Sequence, residues 1–104
     1  MRADRLEQVF VERGAGALKL SLVLESEAGA RERVTMSAPG LDEAVAIDFL
    51  TTYLRQNGFR LAQKLRVRRQ RAGGLDDAPE LAARLVANLG AAGRRSGYED
   101  DEWD

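Results

Sequence analysis

The sequence predicts an α+β domain: a three- or four-stranded, mainly antiparallel sheet (hairpin, helix, strand) with one helix packed on one face, then a C-terminal helix and a disordered acidic tail. Three observations carry this. Leu18, Leu20, Leu22 and Leu24 recur with period two, as in a half-buried strand. Between residues 41 and 57, Val45, Ala46, Ile47, Phe49, Leu50, Tyr53 and Leu54 cover a wide helical stripe that belongs against a sheet. Period two then returns, with Phe59, Leu61, Leu65 and Val67 on one side and Arg60, Ala62, Lys64, Arg66 and Arg68 on the other.

Taken in order, residues 4–13 admit two readings. Leu6, Val9 and Phe10 fit a helical stripe ending at Gly14, whereas Val9, Phe10 and Val11 suit a strand; the strand is preferred because residues 14–16 then form a hairpin turn. Residues 26–30 make a second, Gly-containing turn, and Val34, Met36 and Ala38 alternate with Arg31, Arg33, Thr35 and Ser37 in the next arm, which Pro39 and Gly40 stop. Asp42 and Glu43 suit a helix start and Asn57-Gly58 a left-handed stop, leaving Asp48, Thr51, Thr52 and Arg55 for water. A strand, helix and strand joined this tightly form a parallel crossover, with room for another strand between the two.

Residues 69–75, with Gly73-Gly74, read as a flexible joint, and Asp77 to Glu80 as a capping box opening a helix. Leu81, Ala82, Leu85, Val86 and Leu89 give that helix one apolar stripe, ended by Gly90; the joint permits it to pack on its own sheet or on a neighbouring protomer. The expected core is Leu20, Leu22, Leu24, Val34, Ile47, Leu50, Leu54, Leu61, Leu65 and Val67. With 104 residues there is room for one core, giving one α+β domain over residues 1–90 and a flexible tail, Arg-containing and then acidic, over 91–104.

Composition narrows the function classes. The chain has no cysteine and no histidine, so thiol nucleophiles, thiolate metal sites and the usual neutral-pH acid/base are missing. No Gly-rich phosphate loop ending in Lys and no Ser-centred elbow is present. Asp42, Glu43 and Asp48, or Asp76, Asp77 and Glu80, are the only carboxylate groupings to weigh as acid/base pairs or cation ligands, and each has a simpler place at a helix start or on a wet helix face. The expectation is a protein that is not an enzyme, with no cofactor and no metal. No apolar run approaches a membrane span and no signal-peptide core opens the chain, so no membrane partner and a cytoplasmic location are expected.

The charge is polarised. Residues 60–71 hold six bases and no acid, whereas residues 99–104 hold five acids and no base. Arg60, Lys64, Arg66 and Arg68 are expected to line one sheet surface, extended by Arg31, Arg33 and Lys19 if their strands share that face; no aromatic interrupts the patch. Trp103, the only tryptophan, stands among the acids of the tail, where it suits an anchor steered by charge. The expected partner-binding residues are therefore Arg60, Lys64, Arg66, Arg68 and Trp103. The function expected is a small binding, adaptor or assembly protein that engages a protein partner or itself as a homodimer. The alternative is a nucleic-acid-associated protein that grips phosphates with the same bases and is autoinhibited by the tail.

Overall fold

The computed structural model describes residues 5–95, with side chains to residue 90. Strands β1 (Arg5–Arg13), β2 (Ala17–Glu25) and β3 (Arg31–Pro39) lead to helix α1 (Glu43–Asn57), and β4 (Arg60–Arg71) and β5 (Gly74–Asp77) to helix α2 (Pro79–Arg95). The fold is α+β, as expected, but the sheet has five strands in the order β3-β2-β1-β4-β5 and is mixed. β1 runs antiparallel to β2 and parallel to β4, while β2/β3 and β4/β5 are antiparallel. The crossover through α1 thus joins parallel strands β3 and β4 with β2 and β1 between them. Of the two readings of the first segment, residues 5–13 take the strand.

Local chemistry sets the turns. Gly14 N–H donates to the Ala17 carbonyl at 2.9 Å, and Gly16 takes a positive φ of 80°, closing the first hairpin. The Asp42 carboxylate caps α1 by accepting from the Ala44 amide at 2.9 Å, and Gly58, left-handed at φ 71°, ends it.

Three expectations are corrected. Residues 74–77 are a strand, not part of a loose joint, and the Asp77 carboxylate turns to β4 instead of capping α2. α2 runs through Gly90 to Arg95 and packs on α1 and β4 of its own chain, so two helices, not one, cover the same sheet face. That second helix also changes which side of α1 is dry. Thr51 is buried, donating to the Ile47 carbonyl at 2.8 Å, whereas Val45 and Phe49 are exposed.

The core lies between the helices and one face of the sheet. Leu6, Val9, Val11, Leu18, Leu20, Leu22, Leu24 and Val67 meet Ala46, Ile47, Leu50, Leu54, Leu81 and Leu85, all buried. Val34, Leu61 and Leu65, expected in the core, are half-buried at its margin. Among the described residues no helix is long and apolar enough to cross a membrane.

Candidate functional site

With both helices on one side, the other sheet face is left uncovered by the described residues. Its central row crosses all five strands: Thr35, Ser21, Phe10, Arg68 and Asp77 stand in register from β3 to β5. The row on one side runs Arg33, Val23, Gln8 and Arg66; on the other side stand Ser37, Lys19 and Glu12 in register from β3 to β1, and Gln70 and Leu75 in register on β4 and β5. Arg33 and Lys19 therefore do share the face of Arg66 and Arg68.

Phe10 occupies the middle of this surface. Val9 and Val11 point into the core, so strand alternation turns Phe10 outward, where the Arg33 guanidinium lies 5.4 Å from its ring centroid. The expectation that no aromatic interrupts the cations is overturned here. The signal was present in the β1 alternation, but it could be used only once residues 5–13 were fixed as a strand and β1 was placed beside β4.

The cations do not form the even row expected of them. Between Leu6 and Gln8 of β1, β4 advances from Leu61 to Arg66, so it arches out of register by three residues. Arg60 falls before the arch, opposite Arg5; Lys64 sits within it, exposed; only Arg66 and Arg68 lie in the regular face. Gln63, which period two would place between Leu61 and Leu65 on the apolar side, belongs to the same arch and is exposed. Arg66 Nη2 is 3.1 Å and Arg68 Nε 3.4 Å from the Asp77 carboxylate. The second contact is ionic only, because the buried Arg68 Nε has no hydrogen-bond partner among the described residues. Arg60 and Lys64 have no ion pair among the described residues. Trp103 and the acidic tail lie outside the described residues.

At the margin, Glu7, at the irregularity in β1, accepts from Arg31 Nε at 2.9 Å. That bond holds the Glu7 carboxyl below its ordinary range and raises the Arg31 guanidinium.

The six carboxylates weighed as catalytic or cation ligands all have structural partners. Asp42 caps α1, Asp76 pairs with Arg71 at 3.0 Å, and Asp77 serves Arg66 and Arg68. Asp48 accepts two bonds from Arg84 at 2.9 and 2.7 Å and one from Asn88 at 3.0 Å, which lowers its pKa. Glu43 and Glu80 both accept from Arg69, at 2.7 Å each. A broad cleft of about 1050 Å³ opens at the same end of the sheet, lined by Glu12, Arg13, Leu41, Glu43, Arg69 and Arg71, but its Arg69 and Arg71 are already engaged with these acids.

The open face is thus a mixed surface: Lys19, Arg33, Arg66 and Arg68 interleaved with Glu12 and Asp77 around Phe10, Val23 and Leu75. Such a surface can pair charges of both signs while burying an apolar group at its centre. No known family model, curated protein or solved structure matches the chain.

Proposed function

We propose that this chain is a non-enzymatic binding protein, an adaptor or assembly subunit, whose open sheet face receives an acidic polypeptide bearing a large apolar side chain. The observation that carries the reading is Phe10 at the centre of the face, with Arg33 against its ring and Arg68 beside it in register. An aromatic flanked by guanidinium groups offers an indole both a stacking surface and a cationic rim. Arg60, Lys64, Arg66 and Arg68 steer the ligand. Residues 99–104, five acids around Trp103, have the composition of such a ligand, offered by this chain or by another copy.

The interleaved carboxylates favour a polypeptide over a nucleic acid. Phosphate-backbone binding draws its strength from several uncompensated cations, and here Asp77 already answers Arg66 and Arg68 while Glu12 stands in the next row. The test is a labelled peptide of residues 98–104 titrated into a chain shortened to residue 98, with circular dichroism confirming the fold. Saturable binding is expected, weakened about tenfold or more by Phe10→Ala, and likewise by Trp103→Ala in the peptide. Absence of peptide binding overturns the reading; capture of an oligothymidylate instead, with a steep salt dependence, replaces it with phosphate-backbone binding.

A further inference from the structure

A second surface lies on the opposite side of the molecule's edge from this chemistry. Among the described residues β3 is the end strand of the sheet, hydrogen-bonded to β2 alone, and it runs for nine residues. An uncovered strand of that length offers a row of backbone donors and acceptors to any other strand, and edges are ordinarily blunted by charge, proline or brevity. Here Arg31, Glu32 and Arg33 guard one end and Pro39 the other, but Val34, Thr35, Met36, Ser37 and Ala38 between them carry no charge.

Beside this uncharged window the helix layer is apolar and wet. Val45 is 51% exposed and Phe49 42% on the flank of α1, and a groove of about 360 Å³ between Met36, Phe49, Thr52, Tyr53 and Gln56 opens along β3. Two apolar residues of α1 are therefore in water, Phe49 of them in the groove beside Met36, while Val34 and Met36 are only half-buried. In a helix whose other apolar residues are covered, this flank is the part left uncovered.

We propose that a second copy of this chain covers it, the two β3 strands pairing antiparallel about a two-fold axis at Thr35. The occupant follows from the sequence of β3 itself. Centring the axis on Thr35 pairs all nine residues: Arg31 meets the partner's Pro39, Glu32 the partner's Ala38, Arg33 the partner's Ser37, and Val34 the partner's Met36. No like charges face one another, and the Val34–Met36 pairs fall on the helix side, next to the exposed Phe49 of each copy. Moving the axis to Arg33 sets two guanidinium groups opposite each other, and moving it to Val34 sets Met36 against the partner's Glu32. One register alone joins full overlap with matched chemistry, as an isologous interface requires. The result is a continuous ten-stranded sheet that aligns the two open faces side by side. This assembly uses neither Phe10 nor the β4 cations and stands apart from the ligand proposed above.

Sedimentation equilibrium of the full chain tests it. A mass of two chains is expected at micromolar concentration. Thr35→Lys and Thr35→Glu, both at an exposed position, are each expected to weaken the dimer about fivefold, and an equimolar mixture of the two to restore it, because residue 35 meets only itself in this register. Phe49→Asp is expected to weaken it tenfold or more with an unchanged circular dichroism spectrum. A single-chain mass at all concentrations up to about 200 µM, or a dimer indifferent to all three substitutions, overturns the proposal.

Discussion

Arg69 is the most constrained charged residue described. Its side chain is 18% exposed, and it donates from Nε and Nη2 to both oxygens of Glu43 on α1 and from Nη2 to Glu80 on α2, each at 2.7 Å. One guanidinium thus ties the end of β4 to the first turns of both helices, and the two carboxylates raise its pKa further above the ordinary arginine value. Arg69→Ala would leave Glu43, itself partly shielded, without its cation, and is expected to cost about 1–3 kcal/mol in urea denaturation. Arg69→Lys, which cannot form the two-pronged bond, should recover only part of that loss. A midpoint unchanged by either substitution would show the cluster to be incidental. The position was readable in principle: Leu65 and Val67 point to the helices, and two residues further on period two places Arg69 there too. It was hidden because Gly73-Gly74 drew the end of the strand too early.

The elements themselves were largely legible wherever local chemistry decides them: the leucine alternation of β2, the Asp42 cap and the Gly58 stop of α1. What was not legible depends on neighbours far away in sequence. The four-residue β5 has too few residues to show a period, and it exists because β4 offers it Arg68, Arg69, Gln70 and Arg71 as partners. The wet side assigned to α1 proved to be its seam with α2, where Asp48 bonds Arg84 and Asn88, Asn88 bonds Thr51, and Arg55 reaches the Asn88 carbonyl at 2.9 Å. Beneath these polar contacts, Leu85 is fully buried and carries the apolar docking of α2. Leu85→Ala is expected to destabilise the chain by about 2–5 kcal/mol, through lost transfer energy and the cavity left behind. Val86→Ala, one residue on but 50% exposed, should cost less than about 1 kcal/mol. Equal losses at the two sites would mean that α2 does not dock through the face described.

At the scale of the whole molecule, the polarised charge was visible in the sequence, but its pairing was not: of the acids that meet the β4 cations, Asp76 and Asp77 are brought opposite them by a strand that only the assembled sheet forms, and Glu43 and Glu80 by the two helices. Pairing of this kind makes stability depend on pH in one direction only. Glu7, Asp48 and Glu80 are each held below their ordinary values of 4.5, 3.8 and 4.5, chiefly by hydrogen bonds from Arg31, Arg84 and Arg69 respectively. A carboxyl whose pKa is lower in the folded chain stabilises it fully above the unfolded value, and that contribution disappears as the pH falls through the folded one. The chain has no histidine and no cysteine, so no side chain ordinarily changes charge between pH 5 and 8. The expected thermal profile is therefore flat from pH 8 to about pH 5 and falls steeply below about pH 4. Asp48→Asn should lower the plateau and reduce the acid drop, since the substituted side chain has no proton to take up. Raised salt should compress the difference, because the Asp48–Arg84 pair is half exposed and screened. A melting temperature that changes between pH 5 and 8, or one that survives to pH 2 undiminished, would remove these paired carboxylates as the source of the pH response.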